Sequence, residues 1–148
     1  MPAMKAATLY RLEPAADANG EATSALWRGT RDTGFVIPGR VLEAEYDANG
    51  LALLFVSHDI PYEEQLEILL IDPQGGVIDR ATLGRSYVSG SFVPGAIAGE
   101  DLVSFQFFGD GLWQVRLRQS SGFAWPWSGP AGVRRYRAYR RWFDVNPT

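Results

Sequence analysis

The stretch "RVLEAEYDANGLALLFVSH", residues 40–58, decides the fold class of this chain. From Leu42 to Asp47 apolar and acidic side chains alternate, a period of two that is typical of a strand with one buried and one solvated face. The segment "DANG", 47–50, suits a tight turn because Asn and Gly tolerate a positive φ. Residues 51–58 are apolar on both faces, which predicts a strand in the interior of a sheet. The stretch therefore predicts a β-hairpin.

Two further hairpins follow the same pattern. The first joins "QLEILLID" (65–72) to "VIDRATL" (77–83) through a turn rich in Pro and Gly. The second joins "LVSFQFF" (102–108) to "LWQVRLR" (112–118) through Gly-Asp-Gly, and its last strand alternates cleanly between apolar and polar residues. Antiparallel pairing is the simplest way to connect strands by turns this short.

Weaker strand signals fill the rest of the chain. "SYVSGSFV" (86–93) is a strand candidate in which Gly90 marks a bulge or a close approach of the backbone. The N-terminal candidates are "MKAATLYRL" (4–12), "SALWR" (24–28) and "TGFVI" (33–37). The spacing predicts eight to ten strands in one β-rich domain over residues 1–148. We expect an antiparallel β-barrel or β-sandwich.

Helical signals are confined to two places. Asp59 as an N-cap, an early Pro and first-turn acids predict a short helical segment near 60–66. The second place is 133–143, where a strand and a C-terminal helix compete. On a helix the aromatic and arginine side chains would separate onto opposite faces. We favour the strand, because Tyr, Trp, Phe and Val suit strands and the neighbouring elements are β.

The composition excludes several kinds of chemistry. The chain has no Cys and one His, which excludes disulfides, thiolate nucleophiles and multi-histidine metal sites, so we predict no metal and no cofactor. It has no apolar run near 18 residues and no secretory signal, so we expect a cytoplasmic protein without a membrane partner. Thirteen Arg against one Lys indicate a GC-rich, bacterial genome.

Charge is unevenly distributed along the chain. Residues 1–110 carry 7 basic and 16 acidic side chains, whereas residues 111–148 carry 7 basic and 1 acidic. The two blocks should attract each other in the folded protein, which weakens the case that the basic block serves an external anion.

The basic block is densest in "GVRRYRAYRRWFDV", residues 132–145. Arginines among aromatic residues can contact an acidic partner or nucleic acid. The competing interpretation pairs these arginines with the acidic strand 43–47 or with Glu63, Glu64 and Glu67. We favour this internal pairing over nucleic-acid binding because the chain is acidic overall, with a net charge of −3.

A second candidate surface is "FAWPWSGPAG", residues 123–132. Pro126 favours extended backbone before it, so Trp125 and Trp127 should project to the same side. Paired aromatic side chains on a glycine-bounded loop are typical of a recognition surface. The alternative is that both rings plug an open end of the fold or cover a sheet edge.

No catalytic residues are predicted. Ser57, His58 and Asp59 have the residue types of a hydrolase triad, but adjacent side chains on a strand point to opposite faces. The chain has no glycine-bracketed serine and no phosphate-binding loop. The carboxylates of Glu63, Glu64 and Glu67 offer a pair for acid–base chemistry, but among 17 acidic residues such pairs are uninformative.

Together these observations predict a small, non-catalytic bacterial binding protein that engages a protein partner through its C-terminal third. The predicted binding residues are Trp125, Trp127, Arg134, Arg135, Arg137 and Arg141. One alternative is a β-barrel that binds a small apolar or sugar ligand at its mouth, with or without enzymatic activity; a cavity of several hundred Å³ lined by aromatic and polar groups would favour it. Nucleic-acid binding through the arginine cluster is the second alternative.

Overall fold

The computed structural model describes residues 4–60, 64–84, 90–108, 111–125, 128–136 and 140–148. Within these residues the chain forms thirteen strands and no helix. The strands assemble into three antiparallel sheets, which confirms the prediction of a mainly β fold. The strand number exceeds the predicted eight to ten, and two of the strands, Lys5–Ala6 and Val133–Arg135, have only two and three residues.

The largest sheet has six strands and contains the hairpin 40–58. In spatial order its strands are β1 (Lys5–Ala6), β5 (Val41–Ala48), β6 (Leu51–Ser57), β7 (Leu66–Asp72), β8 (Gly76–Leu83) and β12 (Val133–Arg135). We call it the central sheet, because the other two sheets pack on its two faces.

The second sheet has four strands and the third has three. The four-stranded sheet has the order β13 (Arg141–Pro147), β11 (Leu112–Gly122), β10 (Leu102–Gln106) and β9 (Val93–Ala98). The three-stranded sheet has the order β2 (Tyr10–Pro14), β3 (Thr23–Arg28) and β4 (Arg31–Pro38). No sheet closes into a barrel within the described ranges, so the arrangement is sandwich-like.

The apolar run of β6 explains the three layers. Leu53 and Phe55 belong to one core cluster, which includes Phe105 of the four-stranded sheet. Leu54 and Val56 belong to the second cluster with Leu26 of the three-stranded sheet. Side chains alternate along a strand, so a strand that is apolar at successive positions needs cover on both faces. The prediction that residues 51–58 form an interior strand is confirmed.

The hairpin turn forms as its sequence indicates. Asn49 has φ 56° and Gly50 has φ 87°, and Ala48 pairs with Leu51 across the turn. The acidic face of β5 differs from the expectation of a solvated face. Glu45 is buried, because the start of β2 lies over it and donates the N–H groups of Leu9 and Tyr10 to its carboxylate, each at 3.0 Å.

The predicted hairpins of β7 with β8 and of β10 with β11 are both present. Half of the predicted strand 86–93 lies outside the described ranges; of the rest, residues 90–92 are irregular and β9 begins at Val93. The close approach predicted at Gly90 is confirmed, since a Cβ there would lie 2.6 Å from Cε2 of Phe107.

The two helical predictions find no support in the described residues. Ile60, Glu64 and Gln65 are irregular and Leu66 already starts β7, while 61–63 lie outside the description. At the C-terminal end, 133–135 and 141–147 are strands, and 137–139 lie outside it. Pairing of β12 with β8 and of β13 with β11 supplies the backbone hydrogen bonds that a helix would have made internally. No described helix is long and apolar enough to cross a membrane.

Candidate functional site

A cavity of about 300 Å³ opens where one end of the central sheet meets the four-stranded sheet. Four aliphatic side chains and one indole supply its apolar lining: Ala48, Leu51, Leu70, Leu117 and Trp142. The volume is at the lower end of the range for small-molecule sites, which are mostly apolar with a few polar groups.

Polar groups surround this apolar lining. They come from the β5–β6 turn (Asn49), the β9–β10 turn (Glu100, Asp101) and β11 (Arg118, Gln119). Residues of five strands and two turns therefore converge on one space, which none of the sequence motifs indicated.

The Arg118 side chain is already paired at the edge of the cavity. Its Nε and Nη2 atoms donate to the two carboxylate oxygens of Asp144, each at 2.9 Å. This hydrogen-bonded pairing raises the pKa of Arg118. Partial burial alone would raise the pKa of Asp144, but the hydrogen bond and charge of Arg118 hold it below its usual value. Both groups are charged at neutral pH and satisfy each other.

Two of the predicted binding arginines lie inside the protein. The side chain of Arg135 is 4% exposed and donates through Nη2 to Asp79 at 2.7 Å. Burial lowers the pKa of Arg135, and the charge of Asp79 opposes that effect. Arg141 is also buried, and its guanidinium donates at 3.3 Å to the backbone oxygens of Trp125 and Ser128. These two arginines are therefore not available to a partner.

Asp79 connects the last two strands to the central sheet. Besides Arg135, it accepts the backbone N–H groups of Trp142 at 2.7 Å and Phe143 at 3.3 Å. Of the described arginines after residue 110, four pair with the chain's own acids, which are Asp79, Asp101 and Asp144 and not the expected acids of 43–47 or 63–67. The other two, Arg134 and Arg140, donate to the hydroxyl groups of Tyr136 and Ser121.

Of the four remaining predicted binding residues, two lie on the surface and two lie outside the described residues. Arg134 is exposed and donates to the Tyr136 hydroxyl. Trp125 is 50% exposed and meets the exposed ring of Phe123 edge-on, with the centroids 5.1 Å apart. Trp127 and Arg137 lie outside the described residues.

A polar network lies on the opposite face of the central sheet. The fully buried Glu67 accepts hydrogen bonds from Arg80 Nη2 at 2.8 Å, from Thr82 Oγ1 at 2.6 Å and from His58 Nε2 at 3.1 Å. Burial alone would raise the pKa of Glu67, but hydrogen bonds from His58, Arg80 and Thr82 lower it. An ionised carboxylate only accepts, so His58 carries its proton on Nε2. His58 itself is buried.

The same network contains a grouping of potential metal ligands. Atoms of Glu21, His58 and Glu67 lie within 4.8 Å of one another. The Arg80 guanidinium lies between the two carboxylates, 2.6 Å from Glu21 and 2.8 Å from Glu67, and stacks on the Tyr136 ring at 3.8 Å. A metal ion at this place would have to displace the guanidinium.

The network has no arrangement suited to nucleophilic catalysis. Ser57 donates to Glu43 at 2.9 Å while His58 contacts Glu67, so these neighbours have different partners, as the strand geometry predicts. Thr82 donates to Glu67, but the lowered pKa of this carboxylate makes it a weak proton acceptor.

Sequence reasoning missed the cavity and the burial of Glu67 and Asp79. The cavity residues have no common motif, because turns and strands distant in sequence supply them. The carboxylates do have a signal: Glu67 interrupts the apolar run "LEILLID", and Asp79 lies in phase with Ala81 and Leu83 on the buried side of β8. An acid at a core position requires a buried partner.

No protein-family model, characterised protein or solved structure matches this chain, so the function has to be argued from the structure alone.

Proposed function

We propose that this protein binds a small molecule in the cavity between the central and four-stranded sheets. The observation that carries the proposal is the cavity itself, about 300 Å³, with Trp142 and three leucines against a polar rim. Sites for small ligands combine an apolar lining with a few polar groups that fix orientation. The two flanking sheets supply a rigid frame, because neighbouring core residues such as Phe143 and Val115 are fully buried.

The absence of an activated nucleophile among the described residues favours binding over catalysis. Carboxylates at the rim are exposed or paired with arginine, and no described imidazole lines the cavity. The proposal is therefore a binding protein for a compact ligand, with no chemical step assigned.

A fragment screen by protein-observed NMR on the isotopically labelled protein tests this proposal. We expect some ring-sized fragments to bind at millimolar or tighter concentrations and to shift the backbone amides of Leu51, Leu117 and Gln119. Leu117→Trp should fill the cavity and abolish binding. Leu112→Trp is the matched control, since Leu112 lies on the same strand but is exposed and outside the lining.

Both variants must first show wild-type circular dichroism, because overpacking a core position costs about 1–3 kcal/mol. The proposal fails if no fragment binds to the wild-type protein, or if the fragments bind equally well to the folded Leu117→Trp variant.

A second candidate function is recognition of an extended polypeptide by the Phe123–Trp125 pair. The pair favours it because two large aromatic rings are 63% and 50% exposed side by side, and aromatic side chains dominate binding hot spots. The exposed guanidinium of Arg140, which donates to Ser121 near the pair, favours an acidic segment.

Capture of partners by wild-type protein and by Trp125→Ala tests this candidate. An exposed ring contributes little to stability, so the variant should melt within a few degrees of wild type and lose its partner. Ile97→Ala, which removes another exposed apolar side chain on β9, is the control and should keep the partner. An unchanged set of partners with Trp125→Ala would reject this function.

A further inference from the structure

We propose that the cavity between the central and four-stranded sheets selects an organic cation: a protonated amine attached to a ring-sized apolar body. This inference rests on the proposed function and adds the chemical class of the ligand. It follows from the charges at the cavity rim, from the indole in its lining and from its size.

The first step concerns the positive charge at the rim. Arg118 is the one arginine among the lining residues, and Asp144 occupies its Nε and Nη2 donors. Asp144 therefore already neutralises the guanidinium and occupies two of its five N–H donors, so a ligand carboxylate would gain little from its charge. The rim is therefore poorly suited to an anion.

The second step concerns the negative charge. Glu100 is exposed, and none of the described residues forms an ion pair with it. Asp101 contacts Arg116 at 3.3 Å, and the side chains of Asp101 and Arg116 are 39% and 53% exposed. Such surface pairs are weak, so this carboxylate can exchange partners. Two acids at one mouth attract a cation and repel an anion.

The third step concerns the body of the ligand. Trp142 is half-buried in the lining, and an indole face attracts cations as well as apolar groups. Leu51, Leu70 and Leu117 offer only apolar contact. A cavity of about 300 Å³ suits one ring with a short chain, which places the charged end near the acidic rim.

Three matched probes test the inference: 2-phenylethylamine, the neutral 2-phenylethanol and the anionic phenylacetate, each titrated at pH 7 and followed by backbone amide shifts. We expect the amine to bind up to about fivefold more tightly than the alcohol, because a charge contact at an exposed rim is weak but favourable. Phenylacetate should bind most weakly.

Glu100→Gln should lower the affinity for the amine severalfold and leave the affinity for the alcohol unchanged. Glu13→Gln is the control, because Glu13 is an exposed acid of β2 in another layer, and it should change neither affinity. Raising the salt concentration should reduce the preference for the amine.

The outcomes separate this inference from the proposed function. If the alcohol and the amine bind equally in the cavity, the cation preference is wrong while the binding site stands. Tightest binding by phenylacetate, an unchanged preference in Glu100→Gln, or no binding of any probe at 10 mM would also overturn the inference. A failed fragment screen with the wild-type protein would instead reject the binding site itself.

Discussion

Glu67 and Asp79 lie on neighbouring strands of the central sheet and face opposite layers. They are the most deeply buried carboxylates of the described residues, at 0% and 1% exposure. Glu67 faces the three-stranded sheet, and side chains from β8 and from the end of β6 supply its partners. Asp79 faces the four-stranded sheet and takes one guanidinium and two backbone N–H groups from the last strands.

The two carboxylates differ in whether their partners keep another contact when the carboxylate is removed. If Glu67 is lost, Arg80 keeps its ion pair with Glu21 and Thr82 keeps its contact with the Tyr136 hydroxyl, while His58 Nε2 loses its acceptor. If Asp79 is lost, Arg135 stays 4% exposed without a direct ion pair among the described residues, and two N–H groups lose their acceptor. Burial alone therefore does not determine how much a buried carboxylate contributes to stability. The contribution depends on how many of its partners would have no other hydrogen-bond or ion-pair partner after its removal.

The strongest test of this comparison is Asp79→Ala. It leaves a buried guanidinium and two backbone donors unpaired, so we expect a loss of about 4 kcal/mol in the free energy of unfolding. Asp79→Asn keeps the shape and one acceptor oxygen, and should lose less. Urea denaturation of both variants measures the difference. A loss below about 1 kcal/mol for Asp79→Ala would show that Asp79 does not anchor β12 and β13.

Glu67→Ala should cost less, about 2–3 kcal/mol, because Arg80 retains Glu21 as a partner. The same urea experiment measures it. The double variant with Glu21→Ala removes that remaining partner and should lose more than the sum of the two single variants. If Glu67→Ala proves more damaging than Asp79→Ala, the account based on replacement partners is wrong.

Two adjacent arginines sharpen the comparison at equal side-chain size. Arg135→Ala removes the ion pair with Asp79, but Asp79 keeps the two backbone N–H groups that donate to it. We therefore expect a loss of about 2 kcal/mol in the free energy of unfolding. Arg134→Ala removes an exposed side chain and should change the stability by less than about 0.5 kcal/mol. Thermal unfolding of both variants provides the measurement, and equal effects would contradict the assignment of one arginine to the interior.

The smallest expected effect is a dependence on pH. The pKa of Glu67 is lower in the folded protein than in the unfolded chain, so its ionised form contributes stability at neutral pH. That contribution is lost as the pH falls below about 4.5 and through the lowered folded value. The difference in stability between wild type and Glu67→Gln should therefore shrink from pH 7 to pH 3. A difference that is constant over this range would show that Glu67 does not contribute to the loss of stability at low pH.

The sequence predicts the strands better than their assembly. The hairpin at 40–58 and the partner strands 66–83 are predictable, because alternation and turn residues are local signals. The third layer is not, although the two apolar faces of β6 require it. The cavity depends on how turns distant in sequence converge, and the burial of Arg135 depends on an acid in β8. Neither relation leaves a periodic pattern in the sequence.

Asp79 is translated well before the C-terminal residues that pair with it, and this delay affects folding during synthesis. Asp79 is made 56 residues before Arg135 and 63 residues before Trp142. At translation rates of roughly 5–20 residues per second, its partners follow about 3–13 seconds later. During that interval the apolar face of β6, β7 and β8 is made but lacks the cover that β13 supplies through Phe143 and Val145. We expect the nascent chain to depend on chaperones at this stage, and a slow codon between Asp79 and Arg135 to lower the yield of folded protein.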